Sequence, residues 1–195
     1  SMAGHLRGLR NTSGEFTLES ELAVTRRMDH AAAMVPASGQ AAHVGWLRRD
    51  AGSSAFEFRS ATIAAFTLLD QVAGLPEDAA YACGMFDADR LDFFFFASGQ
   101  ATALVHRLDD TAVPGQWRFG AGRTVDFGAP VEVVTVVRDA NSASALLVVF
   151  QDGSAALAGY SATSGLGTLQ AMPAGSGGLA TGGVALANGQ FLVLT

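Results

Sequence analysis

Apolar residues along this chain fall into strand-length runs broken by short turn sequences, and this pattern predicts hairpin-connected β-strands. Asp152-Gly153 sits between the apolar runs 146–150 and 155–160, and Asn188-Gly189 sits between 184–187 and 191–194. Both dipeptides predict type I′ hairpins, which need positive φ at the two turn positions. The pentapeptide Ala-Ser-Gly-Gln-Ala occurs at 37–41 and again at 97–101, where it joins 93–96 to 102–107.

Units of roughly 40 to 50 residues holding about four strands are the signature of propeller blades, and the chain can be divided that way. A first unit takes strands at 30–36, 42–48, 55–59 and 62–69; a second takes 79–86, 91–97, 101–108 and 117–127. The third takes 131–138, 145–150, 155–161 and 168–172, and the fourth only 180–187 and 190–194. Segments 15–19 and 21–27 supply the two missing outer strands. The expected fold is therefore all-β and antiparallel, a four-bladed propeller closed by its N-terminal strands. The alternative is an α+β domain with an antiparallel sheet and one or two short helices. Pro76, Glu77 and Asp78 ahead of 79–86 suit a helix start, and 60–72 is similarly ambiguous.

Composition narrows the function classes. Of 195 residues, 49% are apolar and 15% charged, which is enough to bury a core and excludes a disordered chain. No apolar run approaches the roughly 20 residues a membrane helix needs, so no membrane insertion is expected. All twelve basic residues are arginine, against eighteen acids, for a net charge of −6. Without lysine there is neither a Schiff base nor a P-loop, and without a basic run no nucleic-acid partner is expected. A single cysteine, Cys83, rules out an internal disulfide and a cysteine zinc cluster, and reads as a small buried hydrophobe. Ser1-Met2 reads as a tag remnant, which makes 1–13 a flexible start and 14–195 a single β-rich domain, expected to come from a longer protein.

Asp78-Ala79-Ala80, the aromatic run at 93–96 and the turn at Gly99 resemble a hemopexin-type repeat over about one-sixth of the chain. That resemblance implies a four-bladed propeller used for binding proteins, ions or haem. Only Asp29-His30-Ala31 repeats the opening, and the family's ring-closing cysteine pair is absent. No functional residue carries over.

Chemistry-bearing motifs are few. Asp87, Asp89 and Asp92 lack the glycine and distal glutamate of a calcium loop, and read as a polar turn. His5, His30, His43 and His106 have neither metal spacing nor an acid partner. The Ser/Gly-rich stretches 161–167 and 175–183 read as loops, and no Gly-x-Ser-x-Gly elbow occurs. Neither a catalytic group, a metal nor a cofactor is therefore expected. The four phenylalanines at 93–96 send two rings to each face of a strand, so both faces must be covered. Trp46, Arg48, Arg49, Trp117 and Arg118 set large aromatics beside arginine, the residue types of interface hot spots. The expected function is a non-catalytic protein–protein interaction module within a scaffold, with a small-ligand or glycan-binding β domain as the alternative.

Overall fold

The computed structural model describes residues 4–12, 15–24, 28–34, 42–61, 66–87, 90–109, 116–138, 144–173, 182–185 and 191–194. Among them every regular element is a β-strand and every pairing given is antiparallel. The chain forms two compact units, one of residues 1–78 and 113–118, the other of 79–112 and 119–195.

In the first unit, β1 (Gly4–Thr12) and β2 (Glu15–Val24) form a hairpin. β3 (Met28–Met34), β4 (Ala42–Asp50), β5 (Ser53–Ala61) and β6 (Phe66–Leu75) follow as a sheet in chain order. β1 lies in the stretch read as a flexible start, and β2 joins two segments expected to be separate strands. β4 and β5 meet through a two-residue loop, Asp50 opposite Ser53, with Gly52 at φ 77°. Gly45 of β4 runs beneath the Phe56 ring, where even a Cβ would collide with it.

The second unit opens with β7 (Ala80–Asp87), β8 (Arg90–Phe96) and β9 (Thr102–Asp109), followed by β10 (Arg118–Phe119), of which Phe119 belongs to this unit, and β11 (Arg123–Asp126), both of which pair with β9. Next come β12 (Val131–Arg138), β13 (Ser144–Phe150) and β14 (Ala155–Ala158), with β15 (Tyr160–Ser161) pairing β16 (Gly165–Leu166) in a small hairpin. β17 (Gln170–Ala171) completes the sheet β12-β13-β14-β17, and β18 (Gly182–Ala185) pairs β19 (Phe191–Leu194).

Several expectations change. The segments admitted as helices are β6 and β7 within the described residues, because a sheet claims their backbone groups. Pro76, Glu77 and Asp78 form the bend between these strands rather than a helix start; Ser54 Oγ donates to Pro76 O at 2.6 Å, and Arg49 donates to Glu77 O at 2.7 Å. The strand expected at 117–127 is two short strands, because 120–122 leave the ladder to cross the His106 ring, and Gly122 has no room there for a Cβ. The Asp152-Gly153 turn is a three-residue loop, not type I′: Gly153 N donates to Phe150 O at 2.9 Å, Phe150 N donates to Ser154 O at 2.9 Å, and Gly153 takes φ 82°. The stretch 161–167 holds a hairpin where a loop was expected. Among the described residues β1-β2 and β18-β19 are each a two-stranded ribbon. Asn188-Gly189, the first Ala-Ser-Gly-Gln-Ala and most of 175–183 lie outside the described residues.

Two sheets of the second unit meet face to face. Phe94, Phe96, Ala103 and Val105 from one pack with Val131, Val134, Leu146 and Val148 from the other, and Tyr160 joins them. The remaining two phenylalanines of the run point away from this core and are also buried, so all four rings are 6% exposed or less. Leu147 and Val149, on the far face of β13, are fully buried too, and β18 lies against β12. The two sheets are stitched at their ends: the turn Ala97–Gln100 accepts a hydrogen bond from Val131 N through Gln100 O at 2.9 Å and donates Gly99 N to Val131 O at 2.8 Å.

Candidate interaction surface

Alternation along β4 and β5 sorts the candidate residues onto two faces of the first unit's sheet. Val44, Trp46, Arg48 and Asp50 share one face with Ala55, Glu57 and Arg59; His43, Gly45, Leu47 and Arg49 share the other with Ser54, Phe56 and Phe58.

The Trp46 face is a closed ionic layer. Glu57, opposite Trp46 and 3% exposed, lies between two guanidinium groups. Arg48 Nη1 meets its Oε1 at 2.5 Å, while Arg59 Nε and Nη2 meet its Oε2 at 3.0 and 2.8 Å. The second Nη of Arg48 reaches Asp50 at 3.1 Å, and Arg59 lies 5.2 Å from the centre of the Trp46 ring. Burying Glu57 is tolerable because both carboxylate oxygens accept from a cation. Trp46 is 1% exposed, and among the described residues its Nε1 has no hydrogen-bond partner. This face carries core and charge together.

The other face holds an aromatic cluster. His43, buried, stacks parallel on Phe58 at 5.3 Å, and the half-buried Trp117 sets its ring against both, 5.7 Å from His43 and 6.5 Å from Phe58. The pairing of β5 with β6 skips Leu69, since Phe58 faces Asp70 and Arg59 faces Leu68. A bulged residue leaves a carbonyl outside the ladder. Arg118, exposed, donates to that Leu69 carbonyl and to its neighbour's Trp117 O. Exposed Leu68 lies beside it on β6, with 42% of its surface in solvent. Trp117 and Arg118 thus form an aromatic and cationic pair, the one set by ring contacts with His43 and Phe58 and the other by two carbonyls.

The five residues read as partner-binding are therefore not one patch. Trp46 and Arg48 are committed to the ionic layer, Arg49 holds the bend after β6, and Trp117 with Arg118 stand at the His43 face.

Burial disfavours the charged imidazolium and lowers the pKa of His43 below 6.5. The unfolded chain then binds a proton that the folded one refuses, so the stabilising effect of neutral His43 is present above pH 6.5 and lost as pH falls below it. Denaturation midpoints of the first unit measured across this range should fall on acidification. In His43→Phe, which keeps an aromatic stack on Phe58, that component of the slope should vanish; an unchanged slope would assign it elsewhere.

A second group of polar residues brings Asp92 together with Arg107, Arg123 and Tyr160, which the sequence does not single out. Asp92, read as part of a polar turn, lies inside β8 and is 0% exposed. Opposite it on β9, Arg107 binds both carboxylate oxygens, Nε at 3.0 Å and Nη2 at 2.8 Å. Tyr160 lies near this pair with its ring on Phe94 at 4.9 Å, and its hydroxyl accepts from Arg123 Nη2 at 2.6 Å. Burial, then the charge of Asp92, pushes the Tyr160 hydroxyl pKa upward. Asp92 and Arg107 pair within one sheet, and the Arg123 bond to Tyr160 ties that sheet to the β15-β16 hairpin. His106 on β9 donates from Nδ1 to Gly120 O at 2.8 Å. Cys83 is half-buried, and burial raises its thiol pKa, which leaves little nucleophilic thiolate.

Among the described residues no group of three or more His, Cys, Asp or Glu side chains could hold a metal ion, and no helix is long and apolar enough to cross a membrane. No family model, curated protein or solved structure matches the chain.

Proposed function

We propose that this chain is a non-catalytic interaction module, a small propeller within a scaffold protein, which binds another protein through Trp117 and Arg118. The observation that supports the reading is the recurrence in chain order of antiparallel sheets of four or five strands, β3 to β6, β7 to β11, and β12, β13, β14 with β17. The last two of these are apolar on both faces, as blades stacked between blades must be. Such a body is stiff, and stiff bodies suit recognition because little conformational freedom is lost on binding.

Trp117 and Arg118 are the residues to expect at the centre of the interface. A half-buried tryptophan held by ring contacts and an arginine held by a carbonyl present large contact area already ordered. The test is affinity purification of the full-length protein from its native cells, followed by reconstitution with the purified partner. A stoichiometric complex is expected, weakened about tenfold or more by Trp117→Ala or Arg118→Glu. Arg118→Glu is the more informative change, because its side chain is exposed and reverses sign without emptying the aromatic cluster. Isolation without any partner, together with glycan or metabolite binding in a direct screen, would replace this reading with that of a ligand-binding domain.

A further inference from the structure

Aspartate followed by glycine is a labile backbone linkage, because glycine offers no side chain to hinder attack by its own amide. In that reaction the Gly153 nitrogen bonds to the Asp152 side-chain carboxyl carbon, and the carboxyl hydroxyl leaves with the amide proton as water. The resulting succinimide then takes up water. Opening at the side-chain carbonyl restores aspartate, while opening at the main-chain carbonyl leaves an isoaspartyl link; no net atoms are gained or lost and nothing is oxidised.

Both reacting groups are occupied in this fold. Gly153 N donates to Phe150 O at 2.9 Å, closing the turn. Oδ1 of Asp152 accepts from Ser154 N at 2.9 Å and from Ser154 Oγ at 2.6 Å, which draws the carboxylate forward along the chain. The exposed carboxylate is reached by solvent, so burial does not shield it.

We propose that Ser154 is a chemical guard of this hairpin, holding the Asp152 carboxylate so that the Asp152-Gly153 linkage resists isomerisation to isoaspartate. The Ser154 side-chain and backbone hydrogen bonds also lower the Asp152 pKa, which keeps the carboxyl in its unreactive anionic form. Guarding has a structural motive: an isoaspartyl link inserts an extra backbone carbon into the β13–β14 turn and would break the pairing Val149 to Ala155.

The test is ageing the intact chain at mildly acidic pH and body temperature, with isoaspartate at residue 152 quantified by peptide mapping. An Asn188→Gln background removes the Asn-Gly source of the same product. Ser154→Ala, which keeps the backbone donor, is expected to accumulate isoaspartate about fivefold faster, the rate ratio of one ordinary hydrogen bond. Ser154→Thr, which keeps the hydroxyl, should stay at the parental rate, and a free peptide of residues 146–158 should react fastest. Thermal unfolding of each variant separates loss of the guard from loss of the fold. Equal rates in the parent and Ser154→Ala, or a folded parent as reactive as the peptide, would overturn the proposal.

Discussion

Replacing Arg107 by leucine is expected to destabilise the second unit by about 3–5 kcal/mol, the usual loss when one partner of a buried ion pair is removed. Asp92 has no exposed surface, and Arg107 supplies a donor to each of its oxygens. With the guanidinium gone, the carboxylate must either stay charged in an apolar surrounding or take up a proton, and the second course costs less. The destabilisation should therefore shrink as pH falls, because the folded variant then binds a proton more tightly than the unfolded chain does. The double variant Asp92→Leu with Arg107→Leu should recover much of the loss, since a pair of apolar residues needs no counter-charge. Urea unfolding followed by circular dichroism measures all three. A loss under about 1 kcal/mol in Arg107→Leu, as at a surface pair, would show that the site is wetter than its burial indicates.

Phe94→Ala is expected to cost about 3–5 kcal/mol, the range for removing a large aromatic from a core that cannot collapse around the gap. Phe94 is fully buried, its ring 5.5 Å from Phe86 and 4.9 Å from Tyr160 in edge-to-face contact. These neighbours are themselves fixed, Tyr160 by Arg123 and Phe86 by its contact with Tyr160 at 5.4 Å. Relaxation into the cavity is therefore limited. Phe94→Leu keeps most of the volume and should lose markedly less. Equal losses in the two variants would mean that ring contacts, rather than filled space, hold the sheets together.

The strands were legible because apolar runs and turn residues mark them directly. β12 covers the residues expected of it, and alternation sends two of the rings at 93–96 to each face, where both pairs are buried. What escaped the sequence depends on register and on distant partners. Arg107 meets Asp92 only because β8 and β9 pair in one alignment. The bend at Pro76 is held by Ser54 and Arg49, hydrogen bonds made across the sheet, whereas a local reading sees only residues that suit a helix start. Arg48 and Arg49 show how far parity reaches: neighbours in a strand point oppositely, so they could not belong to one patch. Parity says nothing of Trp117, which reaches the His43 face from a distant segment.

Both tryptophans, Trp46 and Trp117, belong to the first unit and both tyrosines, Tyr81 and Tyr160, to the second. The unmodified chain is thus optically labelled by its own residues. Indole emission follows the melting of one half, and phenol ionisation in alkali reports the other, where burial foremost holds both hydroxyls above their ordinary pKa. A shared cooperative transition would bring the two signals together, whereas independent halves would give two separate curves from one sample.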